Sequence, residues 1–137
     1  MTVFRYPRTI HFSDTDAAGV VFFARYLSIA HEGYEEALSD HGLPLEKFFA
    51  DNGIIIPIAK SEASYLRPLV TGEQIVVEVA PIRIDDSSFA IDFTLWKTTP
   101  KEKRAAVIRT AHVCIDSTTR KKVPLPEAID NWIGQSA

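Results

Sequence analysis

The segment Ser13-Asp14-Thr15-Asp16-Ala17-Ala18-Gly19-Val20-Val21-Phe22-Phe23 holds the densest set of groups able to do chemistry. Two carboxylates, a run of small residues and a glycine stand just before what reads as a long helix. Small residues and Gly19 let a ligand approach the backbone closely. A helix start offers unpaired N–H donors and a partial positive charge, which suit a carbonyl oxygen gaining negative charge during attack. A carboxylate beside it can serve as base or nucleophile. One loop could therefore hold both halves of an acyl-transfer site. Asp and Gly before a helix are also ordinary capping and turn residues, so the segment alone leaves both readings open.

Other reactive groups are more scattered. His31 and Glu35 are spaced to pair on a helix face, and Glu32 beside them is a rival carboxylate. His31 could line a pocket or orient water. His112 falls in an alternating strand and reads as structural; His11 and His41 belong to no constellation. Arg120, Lys121 and Lys122 form a compact basic cluster able to hold an anion, with Arg67, Arg83, Lys97 and Arg104 as weaker candidates. The single cysteine, Cys114, excludes an intramolecular disulfide and a Cys-based zinc site. No His pair is matched by acids at a metal-binding spacing, so no metal and no prosthetic group are expected.

The elements that would position these groups follow from periodicity. Phe4, Tyr6, Ile10 and Phe12 share one parity and predict a strand over 4–12. Phe23, Leu27, Ala30, Tyr34 and Leu38 recur every three or four residues and predict an amphipathic helix over 22–41, ended by Gly42-Leu43-Pro44. A short helix over Leu45 to Asp51 follows, then strands over 54–65 (interrupted by Pro57), 73–84, 89–96 and 105–116. A last short helix is expected over 127–133. One long helix with five strands, the later ones joined by short connections, is an α+β domain with antiparallel pairing. Phe89 to Phe93 and Trp96 read as core or subunit-interface residues.

Length and composition set the bounds. The chain has 137 residues, 46% hydrophobic and 24% charged, which predicts one globular domain over 1–137 with its own core and excludes a disordered or low-complexity chain. A net charge of -3 argues against a general nucleic-acid binder. No apolar run has the length of a signal peptide or a membrane span. A soluble, cytoplasmic protein with no membrane or nucleic-acid partner is the expectation.

The loop resembles the active-site signature of the 4-hydroxybenzoyl-CoA thioesterase family, Asp-x-Asp-x-x-Gly-x-Val followed by two aromatic or His positions and a long helix. It reads here as Asp14, Asp16, Gly19, Val20 or Val21, Phe22 and Phe23. The resemblance covers nearly the whole chain, through Tyr26, Gly42-Leu43-Pro44, Leu66-Arg67-Pro68-Leu69 before Gly72-Glu73, and the Arg120-to-Pro126 tail. It implies the hotdog fold, a long central helix wrapped by a curved five-stranded antiparallel sheet. It also implies a homodimer or homotetramer with sites between subunits. Asp16 matches the family's catalytic carboxylate, and the Phe23 backbone N–H its carbonyl-polarising donor. Gly19, Val20, Phe22 and His31 match substrate-binding positions. Arg67, Arg120, Lys121 and Lys122 become candidates for the phosphates of coenzyme A, which is part of the substrate, so no cofactor is implied.

Two departures narrow the subfamily: many relatives have His where this chain has Phe23, and a carboxylate where it has His31. A third, Asp85-Asp86-Ser87-Ser88 where some relatives carry a basic hairpin, speaks against a simple carry-over of their phosphate contacts. Val20-Val21-Phe22-Phe23 with His31-Glu32, and the ending His112-Val113-Cys114-Ile115 with its Arg-Lys-Lys tail, are most similar to the cyanobacterial 1,4-dihydroxy-2-naphthoyl-CoA thioesterases of phylloquinone (vitamin K1) biosynthesis. That resemblance implies an aryl-CoA substrate, whose rings Phe22 and Phe23 could stack. The competing readings are a broader acyl-CoA or acyl-carrier-protein thioesterase and a non-enzymatic acyl-CoA-binding module. A hotdog dehydratase fits less well, since no His lies between Asp14 and Gly19.

Overall fold

The computed structural model describes residues 3–48 and 53–136. The chain forms β1 (Phe4–Thr9), a 3-10 turn (Phe12–Asp14), α1 (Phe23–Asp40), α2 (Leu45–Phe48) and β2 (Ile54–Ile55). Then come β3 (Ile58–Tyr65), β4 (Gln74–Asp85), β5 (Ser88–Lys97), β6 (Lys103–Val113), β7 (Ile115–Asp116) and α3 (Glu127–Ser136). Five strands form one antiparallel sheet in the order β1-β4-β5-β6-β3, and β2 pairs with β7 in a separate ribbon. Among the described residues no helix is long and apolar enough to cross a membrane.

Alternation on β4 and β5 sends Ile75, Val77 and Val79, and Phe89, Ile91, Phe93 and Leu95, to one buried face. The apolar stripe of α1 (Tyr26, Ile29, Ala30, Tyr34, Ala37 and Leu38) lies on that face. Gly33 lets the helix settle closely there: a Cβ at that position would stand 2.8 Å from Val77 Cγ1. α3 closes one end, where Trp132 meets Phe89 and Tyr34 with ring centroids 5.8 and 5.9 Å away.

Four expectations change. The first strand stops at Thr9, because Ile10 exchanges backbone hydrogen bonds with Gly72 and Glu73 and the chain then turns. Phe12, expected inward, is 81% exposed. The run over 54–65 divides at Pro57 into β2 and β3, since proline supplies no N–H to a ladder. β3 then skips β4, its successor in sequence, and pairs with β6 at the sheet edge. Of the short helix over Leu45 to Asp51, α2 covers Leu45–Phe48; 49–52 lie outside the described residues.

Candidate active site

The loop from Ile10 to Phe22 is pinned at every turn. Val21 N–H donates to Leu69 O (2.9 Å) and Phe22 N–H to Asp14 O (3.0 Å). Asp16 N–H donates to Val20 O and Gly19 N–H to Asp16 O, both 3.0 Å, closing a tight turn. Gly19 takes φ +84°, a region costly for residues bearing a Cβ. Within this turn Asp16 Oδ1 accepts the Ala18 N–H at 2.9 Å; Oδ2 has no partner among the described residues. The carboxylate is thus oriented by one oxygen and open at the other.

Asp14, two residues earlier, has the opposite environment. It is 1% exposed. Oδ2 accepts from Arg8 (2.6 Å) and from the His11 N–H (2.8 Å), and Oδ1 from Arg25 Nε (3.0 Å). Burial pushes this carboxyl up, but the donors from Arg8, His11 and Arg25 outweigh it and bring it down to about 2. Arg8 also binds Glu32 on α1 at 2.7 Å, and Tyr6 Oη donates to the same Glu32 oxygen at 3.1 Å. This network ties loop, β1 and helix together. It also occupies Glu32, which removes that residue as a free rival carboxylate.

Helix α1 starts without a side-chain cap. Its N-cap residue is Phe22, at φ -64° and ψ 134°, which carries no acceptor. Arg25 N–H donates to Phe22 O at 2.8 Å, whereas the N–H groups of Phe23 and Ala24 have no acceptor among the described residues. The helix therefore presents two free donors and its positive end. They open beside a cleft of about 350 Å³ lined by Val20, Phe23, Tyr26, Tyr65 and Arg67, among others. Phe23 meets Phe22 and Tyr65 edge-on, with centroids at 4.9 and 6.5 Å.

Val20, Phe23 and Arg67 line this cleft; Phe22 is not in its wall but packs edge-on against Phe23, and Asp16 and Gly19 lie in the turn just before. Arg67 is exposed and donates to Arg104 O at 2.6 Å. His31 lies elsewhere: two turns further along α1 it pairs with Glu35 at 2.9 Å and lines a second, smaller cavity. Arg120, Lys121 and Lys122 are not brought to the cleft within this chain. Lys122 bridges to Ile115, and Leu125 N–H binds Asp86 O at the β4–β5 hairpin. Thr9, from which the Asp16 loop departs, pairs with Gln74 at the opposite end of β4. The 12 residues of β4 separate the two by roughly 35–40 Å. Charge clustering in sequence gave no information on this distance.

In the sequence Tyr26 stands out only as a position shared with the family and Tyr65 only as the end of a strand. They form the cleft wall, with centroids 5.0 Å apart. The alternation of β3 could have shown Tyr65 facing the helix; its pairing with β6 across a long connection could not.

Comparison with known proteins gives this geometry its context. The model of the thioesterase-like superfamily matches residues 10–133, and the chain belongs to that superfamily. It is 41% identical over 128 residues to a 1,4-dihydroxy-2-naphthoyl-CoA hydrolase of Thermosynechococcus vestitus, covering 93% of this chain and 86% of the relative. Identity to the enzyme of that name from Rippkaea orientalis is also 41%, covering 93% of each chain. Among solved structures, a 1,4-dihydroxy-2-naphthoyl-CoA thioesterase from Synechocystis superposes with a TM-score of 0.92 at 29% identity, covering 97% of this chain and 96% of that one. The α+β architecture with its five-stranded antiparallel sheet is that of hotdog thioesterases.

Proposed function

We propose that this chain hydrolyses 1,4-dihydroxy-2-naphthoyl-CoA to 1,4-dihydroxy-2-naphthoate and coenzyme A. Identity near 40% over almost the whole chain to hydrolases of that name carries the reading. The local geometry supplies the chemistry. The thioester carbonyl oxygen accepts from the free N–H of Phe23, whose helix end favours the negative charge that grows on that oxygen. Asp16, held by the Ala18 N–H, attacks the carbonyl carbon through Oδ2 or takes a proton from the water that does. The C–S bond breaks, the coenzyme A sulfur leaves as thiolate and is protonated, and water supplies the new acid oxygen. Gly19 and Val20 keep the approach open, and the rings of Phe22 and Phe23 flank the aryl group. The reaction needs no further cofactor.

Arg67 is the phosphate contact that one chain can supply at the cleft. The cluster at Arg120, Lys121 and Lys122 can reach a coenzyme A only if a second copy carries it there. The edge strand β3 supports such an assembly, since seven of its eight residues, all but Ala63, are exposed along a ladder edge with no partner strand among the described residues. The functional unit is then a homodimer or a tetramer built from it, with each site completed by a partner.

Thiol release from 1,4-dihydroxy-2-naphthoyl-CoA, benzoyl-CoA, 4-hydroxybenzoyl-CoA and palmitoyl-CoA tests the reading, with Asp16→Asn as control. Strong preference for the naphthoyl substrate, lost in the variant, is expected. Equal rates on all four would leave a broad thioesterase. Tight coenzyme A binding without thiol release would make the chain a binding module.

A further inference from the structure

A second cavity, of about 110 Å³, lies between α1 and the β3–β6 edge. Its walls are mainly apolar (Leu27, Ala30, Tyr34, Phe93), but His31, Ser61, Thr110 and His112 also line it. None of Ser61, Thr110 and His112 has a place in the hydrolysis described above. His112 is 1% exposed and stacks on Phe89, centroids 4.7 Å apart and planes within 6°. Its Nε2 stands 2.7 Å from Thr110 Oγ1, and its Nδ1 is buried with no partner among the described residues. A buried polar atom left unpaired costs about 1–3 kcal/mol, so the pair needs an explanation beyond packing.

The protonation state supplies one. Burial, helped by the neighbouring His31, lowers the His112 imidazole to about 4, so the ring is neutral near pH 7. An orphaned N–H is costlier and rarer than an under-used acceptor. The favoured tautomer therefore has Nε2–H donating to Thr110 Oγ1, with the bare Nδ1 lone pair buried. The Thr110 hydroxyl then keeps its own proton, and a second lone pair, for a guest in the cavity. Such a group both donates and accepts without charge, which matches a neutral hydroxyl.

The cavity's position identifies the guest. Phe23 and Tyr26 line the first cleft, and Leu27, Ala30 and His31 the second, so the two are successive along one face of α1. On the strand side Tyr65 borders the first, and Ser61 and Ile58 the second. Helix and strand run in opposite directions past both. At 1.5 Å per residue, Leu27 lies about 6 Å beyond Phe23 and Ala30 about 10 Å. The remote part of an aryl acyl group whose thioester sits at the Phe23 N–H falls between those marks. The volume is of the order of the roughly 150 Å³ cavity that holds benzene.

Resting on the hydrolase reading above, we infer that this cavity receives the remote end of the aryl group and that Thr110, set by His112, selects acyl groups with a ring hydroxyl remote from the thioester. The test compares 1,4-dihydroxy-2-naphthoyl-CoA with 1-hydroxy-2-naphthoyl-CoA, which lacks only the remote hydroxyl. Wild type, Thr110→Val and Thr110→Ser are assayed, each checked for its thermal transition. Thr110→Val should lower kcat/KM for the dihydroxy substrate about 10- to 100-fold, the worth of a buried hydrogen bond. It should leave the monohydroxy substrate within about threefold, and Thr110→Ser should restore the preference. Equal loss on both substrates, or no loss on either, overturns the inference and leaves the hydrolase reading intact. Absence of thiol release from either naphthoyl substrate by the wild type overturns both.

Discussion

Asp14→Asn separates the buried, ion-paired carboxylate of the loop from the one at Asp16 proposed for the chemistry. The substitution keeps shape and removes the charge that Arg8, Arg25 and the His11 N–H converge on. Between the ordinary 3.8 and about 2, the Asp14 carboxyl gains about 2.5 kcal/mol of folded-state stabilisation, at about 1.36 kcal/mol per decade. Stripping one member from a buried ion pair costs about 3–5 kcal/mol when the partner is left uncompensated. Here Glu32 still faces Arg8 and Arg25 is partly exposed, so the lower figure applies. The expected loss is about 2–3 kcal/mol at pH 7, read by urea unfolding at fixed protein concentration, because association shifts the midpoint. The depressed carboxyl gives the sign. Its contribution is full above pH 4 and is lost as pH falls through about 2, so wild type and variant should converge there. A difference below about 0.5 kcal/mol at pH 7, or one constant from pH 7 to 2, would refute the assignment.

Four further outcomes follow from the same structure. Gly33→Ala should cost about 1–3 kcal/mol, since its Cβ would stand 2.8 Å from Val77 Cγ1 and 3.2 Å from Val79 Cγ2; chemical unfolding measures it. His112, lowered to about 4 in the fold against 6.5 when unfolded, takes up a proton on unfolding. Its contribution of about 3 kcal/mol is full above pH 6.5 and disappears toward pH 4, which the pH dependence of unfolding reports. Phe22→Ser should supply the missing helix cap by accepting from the Ala24 N–H, stabilising by about 1 kcal/mol in a melting experiment, while lowering kcat/KM because the ring proposed to flank the aryl group is lost. Ser61→Pro, on the β3 edge, should reduce the mass seen by light scattering if that strand joins two copies.

The elements of the domain were largely legible because their periods are strong. The 3.6-residue stripe from Phe23 to Leu38 and the alternation of Phe89 to Leu95 each point to one face, and both faces are buried. Local chemistry decided where the reading slipped. Parity carried the first strand on to Phe12, but no pattern in those residues shows that Gly72 and Glu73 would capture Ile10. Pro57 was visible as an interruption, yet the crossing of β3 to β6 is a long-range choice without a local signal. The site divides in the same way. The loop and the uncapped helix start are contiguous in sequence and were readable together. Thr110 and His112 acquire meaning only from α1 above them, so a His on an apolar parity read as structural.

The two aspartates of the loop show why residue type alone could not assign roles. Asp14 and Asp16 are two positions apart and chemically identical, yet one is enclosed by donors and the other has an open oxygen. The difference originates in β1. Arg8 precedes the turn, reaches back under it and saturates Asp14, so the loop is held by a charge that cannot also take part in catalysis. Among the described residues the Asp16 carboxylate is held only by the Ala18 N–H of its own turn, which constrains orientation and leaves one oxygen free for the role proposed above. A single carboxylate could not do both. Donors numerous enough to anchor it would depress its basicity and block its approach to a carbonyl carbon. Placing the anchor at Asp14 leaves the carboxylate proposed to react within a held loop with one oxygen open, a few residues before the uncapped start of α1.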